Sequence, residues 1–306
     1  MSAGRNDTMQ RRHTILVTGI RGQVGFALLR HMQGLGDVIG LDRAALDLAS
    51  PDAIRSVVRS IRPTVIVNPA AYTAVDAAET QRDLAMAINT VAPRLLAEEA
   101  ARIGASLIHY STDYVFDGAK TEPYVETDAA NPLNIYGESK LAGEQGIAAV
   151  GGRHMILRTS WVYGARGRNF LTTMLRLASE RDELKIVDDQ FGAPTWSETI
   201  AALTAHVIAQ ALASDDADAW WHRHGGLYHL TAAGAASWYE FATAIFAQAR
   251  VQRVPTLVPI PASAYPTPAS RPVNSRLANE RFVRAFGLAA PQWRDALRLC
   301  LDGMVP

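Results

Sequence analysis

Thr14-Ile15-Leu16-Val17-Thr18-Gly19-Ile20-Arg21-Gly22-Gln23-Val24-Gly25-Phe26-Ala27-Leu28-Leu29 is the stretch that decides the fold. Its first five residues form a short apolar, β-branched run, the pattern of a buried strand. Glycines follow at positions 19, 22 and 25, and then a helical pattern through Leu29. Strand, glycine loop and helix in that order are the context a dinucleotide-binding turn needs. Gly19 permits the tight turn, Gly22 lets backbone approach a pyrophosphate, and Gly25 lets the helix pack closely on the strand. Gln23 and Val24 then sit at the helix N-terminus, where backbone N–H groups favour phosphate. The spacing is G-x-x-G-x-x-G rather than G-x-G-x-x-G, so the reading also needs support from the next strand.

Val38-Ile39-Gly40-Leu41 reads as that second strand, ending at Asp42. An acidic residue about twenty residues past the middle glycine is placed to bind an adenosine ribose. Asp42 favours a free 2′-hydroxyl and hence NAD, whereas Arg43 and Arg21 suit the 2′-phosphate of NADP. Both readings stay open. Asp47-Leu48 falls where the adenine end would lie. A helical segment from Pro51 to Ile61 precedes a third strand, Val65–Asn68, which runs into Ala71-Tyr72-Thr73. Small residues at a strand's C-terminal end leave room for a ligand.

A long helix is expected from about Asp83 to Arg102, then a fourth strand, Ser106 to Tyr110. That strand delivers Ser111-Thr112-Asp113 to the ligand edge. Thr112 suits a hydrogen bond to a substrate oxygen or a turn cap. A fifth strand covers Met155 to Thr159. The alternation implies an α/β, Rossmann-type, doubly wound parallel sheet. Beyond Trp161 the rhythm loosens. Helices are expected at 169–178, 198–212 and 237–250, and a strand at 228–231. The division expected is a disordered tail at 1–13, a mainly NAD(P)-binding domain at 14–160 and a mainly substrate-binding C-terminal lobe at 161–306. Some segments of that lobe are left room to return to the sheet.

Tyr136-Gly137-Glu138-Ser139-Lys140 carries the chemistry. The four-residue spacing puts Tyr136 and Lys140 on one helix face. Only three of the 30 basic residues are lysine, so a lysine here, and not an arginine, is informative. An unperturbed tyrosine titrates near 10, and work at neutral pH calls for a downshift of about three units, or ~4 kcal/mol. One cation at ~4 Å in an effective dielectric of ~20 supplies that much. Lys140 is therefore expected to lower Tyr136 and make it a proton donor.

Composition sets bounds. Basic and acidic residues balance at 30 each, which gives no basis for a nucleic-acid partner. No uncharged apolar run approaches the ~18 residues of a membrane span, and the N-terminus lacks the apolar segment of a secretory signal. The single cysteine, Cys300, cannot form an internal disulfide, which suits a reducing cytoplasm. The histidines show no metal-ligand spacing, and His222 and His224 are read as lying in a polar loop.

Gly19-x-x-Gly22-x-x-Gly25, Ser111-Thr112-Asp113 and Tyr136-x-x-x-Lys140 together resemble the extended short-chain dehydrogenase/reductase superfamily. Closer motifs are His109-Tyr110-Ser111-Thr112-Asp113-Tyr114-Val115-Phe116, Asp189-Gln190-Phe191-Gly192-Ala193-Pro194-Thr195, and Arg271-Pro272 with Asn274-Ser275. These resemble the dTDP-4-dehydrorhamnose reductase family from about Ile15 to the C-terminus. The resemblance implies NADPH- or NADH-dependent reduction of a nucleotide-bound 4-keto-6-deoxysugar, giving dTDP-L-rhamnose for bacterial surface polysaccharide. It implies Tyr136 as proton donor, Lys140 as activator and ribose contact, and Thr112 as the group orienting the carbonyl. Cofactor contacts would be Gly19, Gly22, Gln23, Val24, Gly25, Asp42, Arg43, Asp47, Leu48, Ala71, Tyr72, Thr73 and Tyr110, with Tyr136 and Lys140. Substrate contacts would be Thr112, Asp113, Trp161, Asn169 and Arg271, the last because a guanidinium suits a diphosphate. Some family members hold Mg²⁺ at a dimer contact. Ala27 stands where an acidic ligand would be expected, so no metal is expected here. The chain leaves room for a homodimer. Two alternatives are a nucleotide-sugar epimerase or dehydratase of the same superfamily and a non-catalytic regulatory subunit.

Overall fold

A computed structural model of the chain describes residues 13–304. The expected N-terminal tail lies outside them, His13 excepted. Five strands follow the rhythm of the sequence: β1 Thr14–Thr18, β2 Asp37–Leu41, β3 Val65–Asn68, β4 Ser106–Thr112 and β5 His154–Thr159. The main helices between them are α1 Gln23–His31, α2 Pro51–Ile61, α3 Ala92–Ile103 and α4 Ile135–Val150. The C-terminal half returns α5, Ser197–Leu212, and β6, Gly226–His229. All six strands are parallel, in the order β6-β5-β4-β3-β1-β2. Direction along the sheet reverses between β1 and β3. Ligands of open α/β sheets bind outside the strand C-termini at such a point.

The sheet is covered on both faces because its strands are apolar on both. Ile15 and Val17 turn towards α1 and α5, into a cluster with Leu28, Ile108, Leu157, Ile200 and Ile208. Leu16 turns the other way, to Ile54, Val58, Ile66, Leu96, Leu107 and Ile156. A separate cluster in the C-terminal half joins Tyr163, Leu171, Met174, Phe241, Ile245, Trp293 and Leu297. It is bordered by the parallel strand pair Glu183–Val187 and Thr256–Ile260.

The ends of the helices are encoded locally. Ser50 caps α2 through Ala53 N at 3.3 Å, with Pro51 in the first turn. Asn134 caps α4 through Gly137 N at 2.8 Å, and Gly151 (φ 71°) ends it. Two expectations fail. His222 and His224 lie in a helix, Ala217–His224, capped by Asp216, instead of a loop. The helix expected from Asp83 to Arg102 is interrupted. A short helix, Arg82–Met86, leads into a π-helical turn, Ala87–Val91, before α3 begins. The cause lies across the chain. Asn89 pairs with the backbone of Tyr72 in both directions, at 2.8 and 3.0 Å. Its carbonyl also presses on Gly143 of α4, where any Cβ would collide with it. A widened turn accommodates both contacts.

Candidate active site

The glycine turn sits at the β1 end of the reversal. Gly19 has φ +60°, and a Cβ there would fall 2.8 Å from Ala70 Cβ. A Cβ on Gly25 would collide with the Gly19 carbonyl. Helix α1 therefore starts tight against the turn, with Gly22, Gln23 and Val24 at its open N-terminus. This cradle fits a dinucleotide pyrophosphate. Ala71, Tyr72 and Thr73 follow β3 on the other side of the reversal.

At the end of β2, Asp42 is held in a turn by Ala44 N and Ala45 N, at 3.1 and 3.2 Å. Those amide bonds, that to Ala45 foremost, and Arg21 hold its carboxyl below the usual range. Arg21 Nε lies 2.7 Å from Asp42 Oδ2, with the Arg21 side chain 82% exposed. Arg43, expected to oppose Asp42, instead lies 4.0 Å from Asp47. Leu48, also expected at the adenine end, places its side chain in the core with Leu46 and Ile54.

Three elements converge at the C-terminal edge of β4. Thr112 caps a short 3₁₀ turn, Asp113–Val115, by accepting from Tyr114 N at 3.2 Å. Tyr136, in the first turn of α4, stands edge-on to Tyr114 with ring centroids 5.6 Å apart. Gly137 beside it has no room for a Cβ against the Tyr114 carbonyl, which seats the helix on the turn. The Thr112 hydroxyl beside the phenol favours its anion, but burial dominates and the adjacent Asp113 opposes ionisation. The Tyr136 phenol is pushed up to about 12, the reverse of the expected downshift.

Lys140 does not offset that burial. Its side chain is 2% exposed, and Nζ is engaged below the site by Tyr110 O at 2.7 Å and His109 Nε2 at 3.1 Å. Burial brings the ammonium down to about 8, Glu144 partly opposing. Tyr110 likewise departs from expectation. Its ring turns into the core and bonds Thr204 at 2.8 Å, so only its carbonyl serves this site.

Asp113 is 2% exposed and titrates up at about 6 because burial outweighs the hydroxyls around it, Ser275, Thr112 and Ser160. Thr112 Oγ1 reaches its Oδ1 at 3.1 Å, while Oδ2 lacks a partner in good geometry. A carboxyl raised on folding binds its proton more tightly in the native state. Its burden is absent below the unfolded pKa and grows as pH rises from about 4 to about 6. At ~1.4 kcal/mol per unit, the cost at pH 7 is roughly 3 kcal/mol. Asp113→Asn should therefore raise Tm at pH 7 and flatten the dependence of Tm on pH between 4 and 7. A lower Tm at pH 7 would mean that the hydroxyls hold the carboxylate better than burial penalises it.

On the substrate side, Trp161 occupies a left-handed conformation, φ +47°, which is costly for a tryptophan. It stacks on Trp238 at 3.4 Å and 6°, with Gly192 against its other face. Arg271 is not free: Asp76 Oδ2 holds its Nη2 at 2.9 Å. Asn169 caps the helix Phe170–Glu180, and its Nδ2 bonds Gln23 Oε1 and Gly164 O at 2.9 and 2.8 Å. Its side chain is thus consumed in joining the lobe to the start of α1. Two residues not expected at the site are His109, under Lys140, and Asn89, which joins Tyr72 to Ser139 of α4 at 3.0 Å. The one signal for Asn89 is a poor helix former in a helical run.

A six-stranded parallel sheet, a glycine turn at its reversal and a Thr–Tyr–Lys set at its C-terminal edge define a nicotinamide-dependent oxidoreductase of the short-chain dehydrogenase/reductase class. The sequence matches the RmlD substrate binding domain family over residues 13–305. It is 50% identical to the dTDP-4-dehydrorhamnose reductase of Burkholderia thailandensis, covering 95% of this chain and 99% of that one. It is 46% identical to the enzyme of that name from Escherichia coli, over 94% and 97%. The crystal structure of the Bacillus anthracis dTDP-4-dehydrorhamnose reductase, in complex with NADP, is 35% identical, with a TM-score of 0.87 over 95% of this chain and 99% of that chain. The chain belongs to the dTDP-4-dehydrorhamnose reductase family.

Proposed function

We propose that this protein reduces the C4 keto group of dTDP-4-dehydro-β-L-rhamnose to give dTDP-L-rhamnose, for bacterial surface polysaccharide. The observation that carries the reading is a neutral, half-buried Tyr136 phenol beside Thr112 at the end of β4, with the buried Lys140 held on the same helix face. The amides of Gln23 and Val24 would receive the cofactor pyrophosphate, with Gly22 N tied to Gly19 O at 2.9 Å to shape the turn, Asp42 and Arg21 the adenosine ribose, and Lys140 the nicotinamide ribose. A reduced nicotinamide dinucleotide, when bound, supplies the hydride.

Tyr136 supplies the proton. A phenol at about 12 keeps its proton at neutral pH, yet it is a stronger acid than the alcohol it forms. Transfer to a developing alkoxide at C4 is therefore downhill. The Thr112 hydroxyl has a single proton, which Asp113 Oδ1 receives at 3.1 Å; turned to the substrate it would stabilise the developing alkoxide. Trp161, its two faces taken by Trp238 and Gly192, would offer the sugar the edge of its indole. Arg271 meets the diphosphate, at the cost of sharing its guanidinium with Asp76. Among the described residues no helix is long and apolar enough to cross a membrane. With one cysteine and zero net charge, the reading places the enzyme in the cytoplasm.

The test is to supply the 4-keto-6-deoxysugar nucleotide with NADH and NADPH in parallel and follow the reduced-nicotinamide absorbance. Substrate-dependent oxidation of either is the expected result; none with either would end the reading. Both cofactors are expected to work, within about a hundredfold, because Asp42 and Arg21 oppose each other at one point. Asp42→Ala should move the kcat/KM ratio towards NADPH and Arg21→Ala towards NADH. Each shift should be on the order of tenfold, since exposed charges are screened. An unchanged ratio in both variants would show that neither side chain faces the ribose.

A further inference from the structure

His109 lies under Lys140 at the centre of a buried polar chain. Thr18 Oγ1 donates to Asn68 Oδ1 at 2.6 Å, Asn68 Nδ2 lies 3.1 Å from His109 Nδ1, and His109 Nε2 lies 3.1 Å from Lys140 Nζ. Thr18, Asn68, His109 and Lys140 are each no more than 2% exposed. The chain thus runs from the end of β1, beside the glycine turn, across β3 and β4 to α4. Four buried polar groups in line are unusual unless each is satisfied, because an unpaired one is costly.

A neutral imidazole offers one donor and one acceptor. When Lys140 is an ammonium, Nε2 must accept from it, so Nδ1 carries the proton and needs an acceptor, which the Asn68 amide oxygen supplies. When Lys140 is neutral, Nε2–H can donate to Nζ and Nδ1 accepts from the Asn68 amide nitrogen. The amide can serve either state by turning over, and the Thr18 hydroxyl adapts because it both donates and accepts. The imidazolium is excluded: burial first, and the Lys140 charge second, hold His109 well below its usual range.

We propose that His109 is a positioning residue of the reduction, its Nε2 anchoring Lys140 from below while Asn68 and Thr18 satisfy its Nδ1 in either tautomer. With Tyr110 O and His109 Nε2 taking two of the three ammonium N–H groups, the third is left to face the reaction site. The inference rests on the role of Lys140 in the proposed reduction. Other groups act on Lys140 too. Tyr136 and Glu144 share its helix, Asp113 stands beyond the end of β4, and Arg158 on β5 pairs with Glu144 at 2.6 Å. None of them is altered by a change at position 109.

The test compares two polar variants that differ by one methylene. In His109→Gln the side-chain amide reaches the place of Nε2 and can accept from Lys140. In His109→Asn it ends near the place of Nδ1 and cannot. An acceptor favours the ammonium, so its loss lowers the Lys140 pKa. In His109→Asn the alkaline limb of kcat should move to lower pH by roughly one unit, and kcat at pH 8 should fall about fivefold. In His109→Gln both should stay near wild type. Melting temperatures and NADPH affinity of the two variants report the fold separately. Equal pH profiles for the two variants would overturn the proposal, as would equal losses that simply track Tm. Lys140→Met is the control: if it retains turnover, the reading of Lys140 itself falls.

Discussion

Tyr136→Phe should lose roughly 10²–10⁴ in kcat, the usual scale for removing a positioned general acid. The loss should fall on kcat, because Phe keeps the ring that stands edge-on to Tyr114 and the packing of the first turn of α4. Cofactor affinity and Tm should stay near wild type. The pH profile sharpens the expectation. Tyr136 is raised to about 12, so its own ionisation lies beyond the working range, and the phenol is present as donor throughout. Lys140, at about 8, titrates within it. Wild-type kcat should therefore be level below about pH 8 and fall above it, as the ammonium that stabilises the phenolate is lost. Rapid-mixing measurement of cofactor oxidation from pH 6 to 10 reads both variant and limb. Near-wild-type kcat in Tyr136→Phe would remove Tyr136 from the chemistry.

The second large effect is on stability. Arg158 and Glu144 form a two-point ion pair, at 2.8 and 2.6 Å, with side-chain exposures of 4% and 6%. Arg158 stands in β5 between Ser111 of β4 and His229 of β6, and its guanidinium lies 4.9 Å from the Phe116 ring. Glu144 is one turn beyond Lys140 on α4. Arg158→Leu would leave a carboxylate buried without its partner, a change that costs about 3–5 kcal/mol. Replacing both residues by methionine should restore most of that, since apolar groups of similar volume often substitute for a buried pair without loss. Denaturant unfolding of the single and double variants tests this. Equal losses in both would mean that the damage is to packing and not to charge.

Local rules carried much of the architecture. β1, the glycine turn and α1 are legible because each part is set by its neighbours in sequence, and the 3.6-residue repeat alone places Tyr136 and Lys140 on one face. What depends on contacts across the chain was not legible. The π-helical turn at Asn89 arises from Gly143 and Tyr72, neither of which is a local partner. Adjacent residues of β4 face opposite ways, so His109 meets Lys140 while Tyr110 enters the core. A motif names both residues without revealing which one turns inward. The phenol's upward shift follows from burial, a property of the folded site that the Tyr–Lys spacing does not contain. Trp161 was visible as an aromatic candidate, but its left-handed backbone and its stack on Trp238 were not.

The return of β6 to the sheet has a consequence for how the protein is made. When a ribosome has released residue 160, five strands exist, but the outer edge of β5 has nothing to pair with until Gly226 emerges. Helix α5, which covers Ile15, Val17, Ile108 and Leu157, is synthesised only after residue 196. The nascent chain therefore carries an open strand edge and an uncovered greasy face through much of its synthesis, the state in which large α/β chains are prone to aggregate. A gene cut after Ser160 would encode all the glycines of the turn, Tyr136 and Lys140, yet its product should emerge as insoluble material instead of a free-standing cofactor module.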